Sequence, residues 1–286
     1  MRTPALAALL TLALVPATAS ARPRPQPADA KAGGGPTGKS APACGAKVLP
    51  LVVGNSWTYT SIAAPLPADE QIKRIAPGQP KKIVVTVKSV DKKDKDTVAT
   101  LEEKVTVERL KDGKPYDDEY SYESTITCND KQFDISPGSF FFAGEPGGFF
   151  GLEITKTDRP KGTSIQLTKG GIGEAQWGED LIILWTRKPT EGSGAKLGSG
   201  KLELERRFTP QEPEPVTTKQ GMYRSEKIGL ITTGRVTLDN PGTKELKPME
   251  LPANWLTTMW LADGVGVVQT LNMYAHMYQL SEATLK

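Results

Sequence analysis

Residues 116–128 read Tyr-Asp-Asp-Glu-Tyr-Ser-Tyr-Glu-Ser-Thr-Ile-Thr-Cys. Tyr116, Tyr120, Tyr122, Ile126 and Cys128 share one parity, and Asp117, Glu119, Ser121, Glu123, Thr125 and Thr127 share the other. Successive side chains of an extended chain point to opposite faces, so this alternation predicts a strand with one dry and one wet face. One-sided burial of that kind is the mark of antiparallel sheets. Working outward, Thr97 to Leu110 is the expected partner, with Leu101, Val105 and Val107 in phase and Lys111-Asp112-Gly113-Lys114 as the hairpin turn. Lys82 to Val90 precedes it, β-branched at Ile83, Val84, Val85 and Val87, and ends in a polar turn from Asp91 to Asp96. These three segments predict a meander.

Extended signals continue toward the C-terminus. Lys201 to Phe208 alternates Leu202, Leu204 and Phe208 against charges, and a Pro-rich break is expected from Pro210 to Pro215. Two further runs, Val216 to Ser225 and Lys227 to Leu238, lead into a turn at Asp239-Asn240-Pro241-Gly242. Trp255 to Leu261, the Asp263-Gly264 turn, Val265 to Tyr274 and Met277 to Leu285 complete the series. No segment sustains a helical period with caps. The expectation is an all-β fold, antiparallel, forming a strongly curved sheet or a partly open barrel with at most one short helix. Residues 44–286 are expected to make a single β domain.

The segments ahead of that domain point to export. Residues 1–21 combine an early Arg2, an apolar run from Ala5 to Val15 and an Ala19-Ser20-Ala21 site, the three parts of a signal peptide, with cleavage after Ala21 or Ala19. Residues 22–43 are Pro, Ala, Gly, Lys and Ser with little to bury, which predicts a disordered tether. No later segment reaches the roughly 18 apolar residues of a membrane span. The first cysteine, Cys44, stands beyond the tether, so acylation at the cleavage site is not expected. Losing Arg2 with the signal takes the 36 basic residues to 35 against 33 acidic, a net charge of +2, too balanced to imply a nucleic-acid partner. The expected location is the periplasm or the extracellular space. In such an oxidising compartment the two cysteines, Cys44 and Cys128, are expected to form a disulfide.

Catalytic signatures do not survive a physical test. Gly33-Gly34-Gly35-Pro36-Thr37-Gly38-Lys39-Ser40 matches the P-loop pattern letter for letter, but a phosphate loop needs a strand before it and a helix starting at the lysine. Here a tether precedes it and Ala41-Pro42-Ala43 follows. His276 is the only histidine, which removes a His-based metal cage within one chain. It reads as a surface or packed strand residue. Asp117, Asp118 and Glu119 sit on a strand and alternate faces, so they cannot converge on a cation. No catalytic residue, metal or cofactor is expected, and the protein reads as a non-enzyme.

Leu49-Pro50-Leu51-Val52-Val53-Gly54-Asn55-Ser56-Trp57-Thr58-Tyr59 near one end and Gly264-Val265-Gly266-Val267-Val268 near the other carry a resemblance. Together they look like a group of uncharacterised exported bacterial proteins and lipoproteins that open with a "PLxxGNxWxY" strand and close with a "GVGxV" turn. The resemblance covers only those two ends, and the chain lacks the anchoring cysteine of the lipoprotein members. Some members look similar to periplasmic lipoprotein carriers, which implies a half-barrel and transfers no activity. Physically, Gly54 launches a strand on which Trp57 and Tyr59 share a face. Gly264 supplies a turn's positive φ, and Gly266 permits a close approach. The two motifs are expected to meet.

Phe140, Phe141, Phe142, Phe149 and Phe150 crowd into Ser139 to Gly151, five of the chain's seven phenylalanines. Gly144, Pro146, Gly147 and Gly148 make that stretch a loop. It either plugs one end of the sheet or leaves rings accessible as a lid over an apolar cavity. The functional expectation is a non-enzymatic envelope or secreted protein that binds an apolar small molecule or an envelope protein on a curved sheet. The alternative is a hydrolase of an extracellular polymer, which needs two acids converging in a cleft.

Overall fold

The alternation at residues 116–128 holds at its C-terminal end, where Ile126 and Cys128 are buried, while Tyr116 at the other end is exposed. In a computed structural model of the chain, residues 47–64, 79–145, 152–168, 171–187, 198–239 and 249–286 are described. The strands are β1 (Ser56–Ile62), β2 (Lys82–Lys93), β3 (Asp96–Lys111), β4 (Lys114–Cys128) and β5 (Gln132–Ile135), followed by one helical turn, α1 (Phe140–Ala143). Then come β6 (Leu152–Gly162), β7 (Ile165–Thr168), β8 (Gly171–Ile172), β9 (Trp177–Arg187) and β10 (Ser199–Thr218). The last are β11 (Gly221–Leu238), β12 (Met249–Pro252), β13 (Trp255–Ala262), β14 (Gly266–Leu271) and β15 (Met277–Thr284).

They form a large antiparallel sheet in the order β6-β9-β10-β11-β13-β14-β15-β1-β2-β3-β4-β5-β7-β8, with β12 beside β11. The sheet does not close into a barrel. β3 and β4 pair without a break from Thr97↔Cys128 to Lys111↔Lys114. Their turn is Asp112-Gly113, both at positive φ (53° and 74°), the geometry that matches strand twist in a two-residue hairpin. β2 pairs with β3 only as far as Lys82↔Thr106, so the β3–β4 hairpin projects beyond it as an exposed arm.

Two sequence expectations change. The Pro-rich stretch Pro210–Pro215 does not break the chain: β10 runs through it. β9 pairs β10 only up to Trp177↔Phe208, so these prolines lie where β10 keeps a single neighbour, β11, and the register shifts between Gln211 and Glu214. An edge and a bulge are the places where a missing N–H costs no ladder bond. The run Val216 to Ser225 is not one strand, because Thr218↔Gly221 closes a tight turn between β10 and β11. Asn240, Pro241 and Gly242 lie outside the described residues, as do residues 1–46 with the expected signal, tether and Cys44. Cys128 is buried at the end of β4.

The ends of the sheet approach one another without joining its ladder. β6, at one end, continues through Thr163 and Ser164 into β7, next to the last strand at the other. Thr163 Oγ1 donates to the Phe133 carbonyl (2.8 Å), and the Ile135 N–H donates to Ser164 Oγ (3.1 Å). Curling the sheet this way leaves one interior, where Trp57, Tyr59, Phe133, Phe140, Phe141, Phe142 and Tyr278 are almost wholly buried.

Candidate functional site

The densest chemistry surrounds α1. Ser139 caps it, accepting from the Phe141 N–H, and Gly144 ends it in the left-handed region at φ 72°. Its three phenylalanines are each 1% exposed. The Phe140 ring lies 4.6 Å from Tyr59 and 5.8 Å from Tyr278, Phe141 meets Trp57 edge-on at 5.7 Å, and the Arg206 guanidinium stacks 3.6 Å over Phe142. Phe140, Phe141 and Phe142 are therefore a plug and not accessible rings. Phe149 and Phe150 lie outside the described residues.

Ionisable groups hold the plug at both ends. Glu103, on β3, is fully buried and accepts from Ser124 Oγ (2.7 Å), Ser139 Oγ (2.9 Å) and the Phe140 N–H (2.9 Å). Burial pushes its carboxyl up to about 7, against the pull of those donors. Glu145, just past α1, accepts from Asn272 Nδ2 (2.6 Å) and lies 3.9 Å from His276 Nδ1. Its pKa is raised by burial, with His276 and Asn272 opposing. The Phe142 carbonyl accepts from Arg206 Nη2 (2.5 Å), while Arg206 Nη1 pairs with Glu179 at 2.5 Å. Arg159 Nε reaches the other Glu179 oxygen (2.7 Å), and Ser164 Oγ donates to the same carboxylate (3.2 Å). Glu179 and Arg206 are 1% and 2% exposed. Burial lowers the Arg206 pKa to about 10, so the guanidinium stays charged at neutral pH.

This cluster closes the seam where the sheet ends meet, since Arg159 comes from β6, Glu179 from β9 and Arg206 from β10. Arg159 Nη2 also donates to the Ile135 carbonyl of β5 (3.1 Å). The sequence reading missed it. A signal existed: Glu179 and Arg206 occupy the dry parity of β9 and β10, in phase with Leu181, Ile183, Leu202 and Leu204.

The two end motifs do meet. β1 pairs with β15 from Ser56↔Thr284 to Ile62↔Met277. Trp57 Nε1 donates to the Val265 carbonyl (2.5 Å) and Tyr59 OH to the Val267 carbonyl (2.8 Å). Gly266 has φ 101°, and a Cβ there would stand 2.7 Å from Leu49 Cδ1. Gly54 and Gly264 have φ 85° and 70°. Asn55, fully buried, donates to the Pro50 carbonyl (2.8 Å) and accepts from the Lys286 N–H (2.8 Å), which ties both ends of the described chain together.

His276 is placed differently from the expectation. It lies in the turn between β14 and β15, after Ala275 at φ 60°, and its ring sits 5.7 Å from Tyr274. Asp117 and Asp118 diverge as expected, to Lys81 (2.5 Å) and Arg109 (2.7 Å) respectively. Among the described residues no three His, Cys, Asp or Glu side chains converge at metal-ligand spacing, and no helix is long and apolar enough to cross a membrane. The P-loop-like residues 33–40 lie outside the described residues. An open groove of about 440 Å³ runs by the β10 bulge and carries Glu174, Glu212, Glu226 and Asp263 beside Lys227.

No protein-family model and no curated protein matches the chain. Among solved structures it is similar to a protein of Parabacteroides distasonis provisionally described as a lipoprotein, at 13% identity and a TM-score of 0.43, over 84% of this chain and 99% of that one. It is also similar to a Bacteroides fragilis protein provisionally described as exported with a YmcC-like fold, at 12% identity and a TM-score of 0.42, over 83% and 99%.

Proposed function

We propose that this is an exported, non-enzymatic protein that acts by binding a protein partner on the outside of its curled sheet. The observation that carries the reading is the filled interior: Phe140, Phe141 and Phe142 occupy the space between β1, β15 and β10 that an apolar ligand would need. Incubating the mature protein with a fluorescent fatty acid tests it. No saturable uptake is expected; uptake that a Phe140→Trp change blocks would overturn the reading in favour of an apolar carrier. Export carries with it the Cys44–Cys128 disulfide. Thiol labelling of denatured, unreduced protein should find no free sulfhydryl, and two reactive thiols would refute the bond.

A hydrolase is the second reading, favoured by one observation: Glu103 and Glu145 flank α1, and burial raises both pKa values. Against it, both oxygens of Glu103 are taken by the Phe140 N–H, and one also by two serine hydroxyls, which leaves the group committed to holding the plug. Hydrolysis of an extracellular polysaccharide by the mature protein, lost in Glu145→Gln, would establish the second reading.

A further inference from the structure

The exposed β3–β4 arm leaves one side of β4 without a main-chain neighbour. β5 pairs β4 only at Ile126–Cys128, and the Ser136 N–H adds a bond to the Thr125 carbonyl. From Pro115 to Ser121, β4 has no further strand beside it among the described residues. The hairpin register fixes which groups face outward. A two-residue turn makes Lys111 and Lys114 a hydrogen-bonded pair, so Tyr116, Asp118 and Tyr120 direct their N–H and C=O at β3. Asp117, Glu119 and Ser121 direct theirs away. Pro115, which has no N–H, occupies an outward position, where nothing is lost.

The side-chain row along this edge is acidic. Asp117, Glu119, Ser121 and Glu123 share the wet face, and that row contains no cation. Lys81 takes Asp117, but Glu119 and Glu123 make no ion pair among the described residues. The register also sets Glu108 opposite Asp117 and Glu102 opposite Glu123, like charges of the kind that weaken a sheet when directly opposed. Lys81, Lys88 and Lys104 relieve this only from the β2 and β3 side. Two copies of the edge would set acid against acid, which opposes self-pairing.

We infer that the free edge of β4, Pro115 to Ser121, takes a basic extended segment of a partner protein as an added strand. The inference rests on the protein-binding reading above and names its site. Outward main-chain groups give the pairing, and cations on the incoming strand meet the Asp117, Glu119 and Glu123 row. An edge of this length spans about 23 Å, room for a strand of ordinary size.

The test is titration of the mature protein with an eight-residue peptide alternating Lys and Thr, with the Glu/Thr peptide as control. The Lys peptide should bind, and it should slow amide exchange at Asp117, Glu119 and Ser121 while leaving Tyr116 and Tyr120 unchanged. Ser121→Pro removes one outward N–H and keeps every charge, and it should weaken binding at least tenfold. Glu119→Lys with Glu123→Lys keeps the main chain and should transfer preference to the Glu peptide. Binding that Ser121→Pro leaves unchanged would show charge attraction alone and overturn the inference. So would absence of Lys-peptide binding, or sedimentation showing copies of the chain paired through this edge. Any of these leaves the protein-binding reading intact, because that reading stands or falls on the fatty-acid experiment.

Discussion

Strands β1 and β15 bring the ends of the chain together through a ladder from Ser56↔Thr284 to Ile62↔Met277, backed by Trp57 and Tyr59. β6 and β7 bring the ends of the sheet together with no pairing between them, and a buried Glu179–Arg206–Arg159 cluster takes its place. The first joint combines main-chain bonds with apolar burial, and both terms favour the folded state directly. The second sets strong attraction against the large cost of removing two charges from water. A ladder is tolerant of its surroundings; an ionic seam depends on every partner being present. What the seam adds is specificity of closure, since Glu179 accepts only when β6, β9 and β10 all arrive.

Two truncations should separate the joints. Arg206→Ala leaves Glu179 buried without its closest cation and should cost about 3–5 kcal/mol in urea unfolding. Trp57→Ala should cost a similar amount, about 3–5 kcal/mol, by removing a core ring. The difference lies in rescue. Replacing the whole cluster, Arg159→Leu and Glu179→Leu together with Arg206→Met, should restore most of the loss, because well-packed apolar groups replace buried ion pairs at little cost. No second change should rescue Trp57→Ala so simply. If the Arg159→Leu/Glu179→Leu/Arg206→Met protein is as unstable as Arg206→Ala, the seam is worth more than its desolvation cost and the contrast fails.

Between the joints lies α1, touching Trp57 and Tyr59 on one side and Arg206 on the other, and its cap makes it sensitive to pH. Burial pushes the Glu103 carboxyl up to about 7 in the folded protein, against 4.5 when it is exposed in the unfolded chain. The folded state therefore holds the proton across that interval, and stability falls as pH rises from about 4.5 to about 7. The loss is about 3 kcal/mol if the whole difference is expressed. Glu145, also raised by burial, acts in the same direction. In Glu103→Gln this component disappears, so wild type should lose ground to the variant between pH 4.5 and pH 8. Parallel stability curves would mean the carboxylate is better solvated than its burial implies.

The two joints were also unequally legible. The meeting of Trp57 and Tyr59 with Gly264 and Gly266 was legible through the resemblance, whose two motifs occur together near opposite ends of the folded region; taken locally, the same residues mark only a strand and a turn. The seam was legible only in part: parity sets Glu179 and Arg206 on the dry faces of β9 and β10, but a charge on a dry face does not name its partner. Glu179 and Arg206 stand 27 positions apart, and only the tertiary fold shows them paired. The same blindness let Pro210 to Pro215 read as a break: whether a proline interrupts a strand depends on whether a neighbour needs its N–H. The phenylalanine cluster was half legible. Composition flagged it and allowed a plug, but the buried acid that caps it, Glu103, lies on a distant strand.

The smallest effects sharpen the ladder side of the comparison. Gly264 and Gly266 both have positive φ, 70° and 101°, so alanine at either strains the backbone, but their surroundings differ. A Cβ on Gly264 meets nothing within 4 Å, whereas one on Gly266 would stand 2.7 Å from Leu49 Cδ1 and 3.5 Å from Trp57 Nε1. Gly266→Ala should therefore cost about 1–3 kcal/mol, combining strain with displacement of Leu49 from its place over Gly266. Gly264→Ala carries the strain alone and should cost about 1 kcal/mol. Gly264→Asn should cost less again, because asparagine tolerates the left-handed region. Thermal unfolding of the three variants gives the order directly. If Gly264→Ala proves as costly as Gly266→Ala, the close approach at Gly266 contributes nothing, and the joint is held by its ladder and not by the packing of Leu49 over Gly266.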